Sequence, residues 1–448
     1  MLNLPPANWV PPRGAGISDV LIVGGGMMGL TASLALMRLG IRNHRLLDAA
    51  PAGQEGPWVT YARMITLRSP KHLVGPAQDL PNLTFRAWYT ALHGEAGWQA
   101  LDKIPRGVWM DYLIWFRAVL ALPVTNGIAV QSVAPGPDGL IAVRTDTEGT
   151  LLTRRVVLAT GRDGLGGLRL PGWVPSPRGP RIRHSAETVD FAALAGKTVA
   201  VVGASASAVD NAATALEHGA ANVHMLVRRP ALPVLNRFKS MTHAGYTFGL
   251  PLLDDAMRLR LLRSAAEDAV APPRDSLLRL AAQPGFRLHL ATPVLAVAED
   301  ASGVTLRLPK GELRAAMLIL GTGFAVDLSM RPELAALAPL VRCWGDALPG
   351  ETGEYATYPH LGPGFELESR EAGEAEWLGR IHAFSIGAIA SLGLISGDIP
   401  GVGDGARRLA EAIAASLFRE DAAAHLAALR AYADPELLGD EVPAAALA

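Results

Sequence analysis

Twice in its 448 residues this chain runs a short apolar strand into a turn of small residues. Twice, much later, a second apolar strand ends in Thr-Gly. The first copy opens with Val20-Leu21-Ile22-Val23 and Gly24-x-Gly26-x-x-Gly29, and closes with Val156-Val157-Leu158-Ala159-Thr160-Gly161. The second opens with Val199-Ala200-Val201-Val202 and Gly203-x-Ser205-x-x-Ala208, and closes with Leu318-Ile319-Leu320-Gly321-Thr322-Gly323. Small residues at such a turn let a phosphate approach the backbone at a helix N-terminus, where free N–H groups and the helix dipole attract it. One such turn constrains little. Two in the same order, each with its closing strand, predict two nucleotides held face to face, with flavin–nicotinamide redox chemistry as the leading reading.

Composition narrows the alternatives. Half of the residues are hydrophobic and 19% are charged, as in a globular protein with proper cores. A net charge of -1 and the lack of a basic run offer nothing to nucleic acid. Cys343 is the only cysteine, which excludes an internal disulfide, a two-thiol electron relay and cysteine-rich metal sites, so no metal is expected. Met1 to Ser18 has no charged segment followed by an apolar one, so no signal peptide is apparent and a cytoplasmic location is expected. The apolar run Val20–Gly40 is long enough to mimic a membrane span, but its three consecutive glycines favour strand, turn and helix. No membrane partner is expected.

The pattern predicts an α/β fold with two Rossmann-like three-layer domains, the NAD(P)H domain inserted into a split FAD domain. The expected boundaries are 1–165, 166–330 and 331–448. In the first copy, strand 19–23, helix 27–39 and strand 44–47 lead to Asp48. An insertion at 49–123 and a β-meander at 128–133, 139–145 and 150–158 follow. In the second, strand 198–202, helix 206–217 and strand 222–227 lead to Arg228-Arg229. A helical insertion at 231–284, a meander at 286–290, 293–299 and 303–308, and strand 316–320 follow. Helices at 404–418 and 422–432 end the chain.

At the first site Asp48 suits a ribose diol and repels a 2′-phosphate, so FAD or NAD is expected there rather than NADP. At the second, Arg228 and Arg229 replace the acid, and guanidinium groups pair with a phosphate dianion. NADPH is therefore expected there, with NADH left open. Ser205 and Ala208 dilute the second motif without destroying it.

With these residues in view, the chain resembles the two-dinucleotide-binding-domain flavoproteins, and among them the class B-like, single-component NAD(P)H-dependent flavin monooxygenases. The run from Gly56-Pro57-Trp58 through Thr66-Leu67-Arg68-Ser69-Pro70-Lys71 is similar to a bacterial subfamily containing an FAD-dependent urate hydroxylase and an aspartate N-monooxygenase. The resemblance implies that Trp58 lies along the flavin and that Thr160, Gly161 and Gly323 sit at the domain crossings. His184-Ser185 resembles the end of the monooxygenase fingerprint, although Arg178, Pro180 and Thr188 depart from the rest of it. Leu67 stands where flavin-containing monooxygenases place Asn, which argues against oxygenation in that family's manner. Gly401 and Gly403 open the helix that such enzymes aim at the flavin.

The candidate cofactor contacts are thus Gly24, Gly26, Met28, Gly29, Asp48, Trp58, Thr160, Gly161, Gly203, Ser205, Ser207, Arg228, Arg229, Gly323, Gly401 and Gly403. The candidate catalytic residues are Arg63, Arg68, Lys71 and His184. The three cations, with Arg86 further on, are expected near the flavin among Trp58, Tyr61, Trp88 and Tyr89, suiting a small anionic or heteroaromatic substrate. An equal alternative has them bind the pyrophosphate or face water. Asn236, Lys239 and His243 are weaker candidates from the other domain.

The expected reaction reduces FAD with NADPH, adds dioxygen to give a flavin 4a-hydroperoxide and hydroxylates a urate-like heterocycle or an amino-acid nitrogen. Two alternatives stay open: a reductase or oxidase of the same fold using a non-thiol acceptor, and a non-catalytic redox sensor. A homodimer is a prior for such enzymes and not a deduction.

Overall fold

The computed structural model describes residues 6–438 and residue 441. Its first half follows the expected alternation closely. Strand β1 (Ile17–Val23) is apolar from Val20 onward because it is covered on both faces, and it feeds helix α1 (Met27–Arg38) and strand β2 (His44–Asp48). Helices α2 (Phe85–Ala100) and α3 (Arg106–Val119) fill the first insertion, and β3 (Val124–Asn126) returns the chain to the sheet. Strands β4 (Val130–Pro135), β5 (Ile141–Thr145) and β6 (Thr150–Leu158) form the antiparallel run.

The sheet order is β3-β2-β1-β6-β5-β4. β6 ends the meander yet pairs parallel with β1, Leu21 opposite Val156, so the closing Thr-Gly lies beside the opening glycine turn. β3 was not expected, since three half-buried residues carry too short a pattern to read. α2 and α3 were not expected as helices either. Their aromatic residues pack together: Phe85 lies 5.5 Å from Tyr89 and 5.8 Å from Trp109, and Trp109 lies 5.0 Å from Tyr112.

A short strand β7 (Gly166–Leu168) crosses to the second body, which begins at β8 (Ile182–His184). There β9 (Thr198–Val202), α4 (Ala206–Glu217) and β10 (Asn222–Leu226) repeat the first plan. The second insertion carries α5 (Ala244–Gly249), α6 (Asp255–Ala266) and α7 (Arg274–Ala281). Strands β11 (Phe286–His289), β12 (Ala296–Asp300), β13 (Gly303–Leu308), β14 (Gly311–Ala315) and β15 (Met317–Leu320) complete it.

The second meander differs from the expectation. Residues 286–289 are not its first strand but the parallel edge of the nucleotide sheet, ordered β11-β10-β9-β15-β8. The meander's third strand is β14, which the pattern missed because its residues are largely exposed.

The chain returns through β16 (Phe324–Val326), antiparallel to β7. Helix α8 (Trp344–Ala347), strand β17 (Ile381–His382) and helices α9 (Ile389–Leu392), α10 (Val402–Glu420) and α11 (Ala422–Ala431) follow. β17 adds to the first sheet beside β6, and α10 packs along α1. Residues from both ends of the sequence therefore share one hydrophobic core. Strands β8 to β15 contribute to two smaller ones, on opposite faces of the second sheet. Leu259 and Leu262 of α6 join the first core, so the second insertion roots itself in the first body.

Candidate active site

At the first turn the need for glycine is steric. Gly24 has φ +110°, and a Cβ there would lie 2.4 Å from the Ala159 carbonyl oxygen; one on Gly29 would lie 1.9 Å from that of Gly24. Gly26 is different: a Cβ there would meet nothing closer than the Gly56 backbone nitrogen at 3.9 Å. The space over Gly26 opens toward the Gly56–Trp58 segment, at the start of α1, where the first N–H groups have no carbonyl one turn back. The Met28 side chain is buried in the core, so only its backbone faces the turn.

Asp48 stands at the end of β2 as expected. Its Oδ2 accepts from Gly25 N–H and its Oδ1 from Ala50 N–H, each at 2.7 Å. Burial pushes its carboxyl upward, and these two donors pull it back. Below it lies an acid that the sequence reading missed. Glu55 is buried and accepts from Arg117 (3.0 Å), Asn126 (2.7 Å) and Gly53 N–H (2.9 Å). Its place next to Gly56-Pro57-Trp58 was the available signal.

The closing turns lie open. A Cβ on Gly161 or Gly323 would meet no atom within 4 Å, and both have φ +79°. Thr160 Oγ1 beside Gly161 is buried without a hydrogen-bond partner. Trp58 is half-buried, edge-on to Trp109 at 6.3 Å. Room over Gly26, an acid at the end of β2 and an unpartnered hydroxyl at the crossing fit a dinucleotide such as FAD.

The second turn repeats the geometry with one exchange. A Cβ on Gly203 (φ +136°) would lie 2.5 Å from the Gly321 carbonyl oxygen. Ser205 Oγ donates to the Val270 carbonyl at 2.8 Å, tying the turn to the second insertion. Ser207, in the first turn of α4, is exposed. Arg228 is exposed and Arg229 half-buried, and neither guanidinium has a hydrogen-bond or ion-pair partner among the described residues. They are free to meet a phosphate.

The candidate catalytic residues divide. His184 is buried, with Nε2 3.0 Å from the Gly323 carbonyl and Nδ1 accepting from Ala186 N–H at 3.2 Å. Both ring nitrogens are committed to backbone, so His184 holds the crossing in place and has no nitrogen left for chemistry. Burial also lowers its affinity for a second proton. Lys71 donates to the carbonyls of Trp98 (2.7 Å) and Leu101 and lies 4.8 Å from the Trp98 ring. Arg63 donates to Thr60 O at 2.6 Å and covers Phe191 at 5.4 Å. Arg86 pairs with Glu95, and Trp88 and Tyr89 belong to the aromatic packing of α2.

Only Arg68 of these cations has no partner among the described residues. Tyr61, 6.4 Å from Phe324, is raised to about 12 by burial, then by Asp163. Lys239 and His243 are exposed, and Asn236 is half-buried with Oδ1 unpartnered.

Gly401 does not reach out from α10, which begins two residues earlier than expected. A Cβ on it would strike the Leu394 carbonyl oxygen at 2.2 Å, so its smallness serves packing. It does line a cavity of about 40 Å³ with Met241, Tyr246, Asp398 and Asp404. The Gly403 carbonyl accepts from Gln78 Nε2 at 2.8 Å. A cavity of about 660 Å³ is an open groove between α6 and Leu348–Glu351 that includes neither glycine turn. Among the described residues no helix is long and apolar enough to cross a membrane, and no group of three or more metal-ligating side chains occurs.

Two nucleotide cradles in one chain define an oxidoreductase of the two-site kind, and comparison with known proteins places it further. Residues 21–241 match the family model described as pyridine nucleotide-disulphide oxidoreductase. The chain is 42% identical to an FAD-dependent urate hydroxylase of Xanthomonas campestris pv. campestris, over 96% of this chain and 93% of that one. Its fold is similar to that of the ornithine hydroxylase of Pseudomonas aeruginosa (TM-score 0.69, 18% identity, 90% of this chain and 99% of that one). It is similar also to the ornithine N-hydroxylase of Kutzneria sp. 744, described with reduced FAD, NADP+ and L-ornithine (TM-score 0.69, 15% identity, 89% and 99%). The chain belongs to the family of two-dinucleotide-binding-domain flavoprotein monooxygenases, alongside that urate hydroxylase. The disulphide chemistry in the family model's description does not extend to it, since Cys343 is alone.

Proposed function

We propose that this enzyme is an NADPH-dependent flavin monooxygenase that hydroxylates a small nitrogen-containing substrate, either a urate-like heterocycle or an amino-acid nitrogen. The observation that carries the reading is the pair of small-residue turns at Gly24–Gly29 and Gly203–Ala208, with Asp48 at one and the unpartnered Arg228 and Arg229 at the other. The kinship with a urate hydroxylase over nearly the whole chain supports it. FAD would lie on the body formed by 1–165 and 331–448, and NADPH on the body formed by 166–330.

Bound flavin would supply hydride acceptance and the activation of dioxygen. The balance is NADPH, a proton, dioxygen and substrate giving NADP+, water and hydroxylated substrate. The chain's own residues do the rest. Gly24, Gly26, Gly29 and the start of α1 hold a pyrophosphate. Asp48 takes a ribose diol, and Arg228 and Arg229 take the 2′-phosphate. His184 keeps Gly323 in place, so that a nicotinamide resting there meets the flavin. The aromatic wall of α2 and α3 keeps water from that side.

The test is to mix the purified flavin-loaded protein with NADPH, labelled dioxygen and a panel of urate and amino acids. Label in a product supports the reading. Stoichiometric peroxide with every candidate and label in none would overturn it in favour of an oxidase.

A further inference from the structure

We propose that Arg279 is a positioning residue that ties the wall of the first nucleotide turn to the helix of the second, and that hydride transfer between the two nucleotides depends on this tie. The dependence rests on the monooxygenase reading, whereas the tie is a property of the chain alone.

Arg279 stands on α7, which packs along α4 with Leu280 buried in the core they share and Leu277 packed against it. Its Nε donates to Glu217 Oε1 at 2.7 Å, and its Nη2 donates to the other Glu217 oxygen and to Thr214 Oγ1 at 3.1 Å. Nη1 lies 3.6 Å from Asp210 Oδ1. Residues 210, 214 and 217 form one stripe of α4, and the guanidinium lies along it with its side chain 14% exposed. So far the arginine serves only the second body. Its Nη1 also donates to the Arg63 carbonyl at 3.0 Å, and Arg63 belongs to the first.

From that carbonyl a line of hydrogen bonds runs to the first turn. Arg63 Nη1 donates to Thr60 O at 2.6 Å, and Thr60 Oγ1 donates to Gly56 O at 2.7 Å. The Gly56 backbone nitrogen is the nearest atom to the space over Gly26. The Thr60 and Ala62 N–H groups both donate to Pro57 O, at 3.3 and 3.0 Å, so the loop is a compact unit. The Arg63 guanidinium also covers Phe191, a residue of the second body's core, at 5.4 Å. The loop that walls the first turn is thus seated on the second body through both the backbone and the side chain of Arg63. At the other end of the line, α4 opens from the Gly203–Ala208 turn.

A guanidinium suits this place because its planar fork fixes several acceptors at once, which a single ammonium cannot do. Lys103 and Asp275 pair across the same seam, but both are more than a third exposed, where an ion pair contributes little. In the step concerned, a hydride moves from NADPH to oxidised FAD and leaves NADP+ and reduced FAD. A misplacement of about 1 Å between such partners can cost about a hundredfold in rate.

Full-length flavin-loaded wild type, Arg279→Gln and Arg279→Lys are compared by two measurements. Arg279→Lys keeps a cation beside Asp210 and Glu217 but has no fork to reach the Arg63 carbonyl as well. In anaerobic stopped flow, the rate of flavin reduction at saturating NADPH is expected to fall about tenfold to a hundredfold in both variants. Flavin content and the dissociation constant for NADPH are expected to stay unchanged. In hydrogen–deuterium exchange, which needs no turnover, the Thr60 and Ala62 amides are expected to exchange about tenfold faster in both variants, with the α4 amides unchanged. Full reduction rate in Arg279→Lys would overturn the proposal, since neutralising the α4 acids would then be the whole role of the residue. Unchanged exchange at Thr60 and Ala62, or faster exchange in α4 with loss of NADPH affinity, would overturn it as well. A wild type whose flavin NADPH does not reduce would overturn the monooxygenase reading instead, and the exchange measurement would still decide the tie.

Discussion

A Cβ on Gly321 would lie 2.6 Å from the Cβ of Ala208 and 2.7 Å from its Cα. Helix α4 thus packs on the closing strand of the second site with no room for a second methyl group. In the first copy the third motif residue is Gly29 and the closing residue is Ala159. The bulk that the first site carries on its closing strand is carried by the second on its helix, and Ala208 is matched rather than merely tolerated.

Gly321→Ala is therefore expected to destabilise the second body by about 1–3 kcal/mol, as overpacking does. It should also weaken NADPH binding, read by thermal unfolding and by NADPH titration. Adding Ala208→Gly should recover only part of the loss, because the Cα and N of residue 208 also lie within 2.7 and 2.9 Å of the new methyl group. Full recovery would show that the methyl–methyl clash was the whole constraint.

Arg228→Ala is expected to raise the Michaelis constant for NADPH by about tenfold or more while leaving that for NADH almost unchanged, since only NADPH carries the 2′-phosphate. Steady-state kinetics with both nucleotides checks this, and equal effects would remove NADPH from the assignment.

Asp48→Asn keeps the shape but offers one acceptor where Gly25 and Ala50 require two. Its amide NH₂ must face a backbone N–H, at a cost of about 1–3 kcal/mol. Protein purified with this change should contain less flavin, measured from the ratio of flavin to protein absorbance.

Acid should destabilise the first body in two stages. His44 is buried between Ser33 Oγ (2.8 Å) and the Ile41 carbonyl (3.1 Å), and burial lowers it to about 4. With its folded value depressed below its unfolded one, the neutral ring stabilises the fold fully above pH ~6.5, and this is lost as pH falls toward 4. Glu420 follows. Burial alone would raise it, but Arg155, Arg380 and Arg154 outweigh burial and hold it at about 2. Its contribution, on the order of 3 kcal/mol, is present above pH ~4.5 and lost as pH falls toward 2. Denaturant unfolding across pH 3–7 should show His44→Phe flattening the upper slope and Glu420→Gln the lower one.

The doubled plan, the two turns, Asp48 at the end of its strand and the adjacent arginines were legible in the residues alone. Each of these depends on contacts within one strand–turn–helix unit, and such local geometry leaves a local pattern. Tertiary structure alone decided which cations are free. Nothing in the run from Arg63 to Lys71 distinguishes its three cations. Lys71 is taken by carbonyls at the end of α2, Arg63 by its own loop and Phe191, and Arg68 by nothing among the described residues. The fate of His184 was equally hidden, because Gly323, whose carbonyl it holds, is 139 residues away in sequence. So was the place of the helical insertion, whose Leu259 and Leu262 are buried in the core of the opposite body. Long-range packing assigns these partners, and a side chain's sequence neighbours carry no record of them.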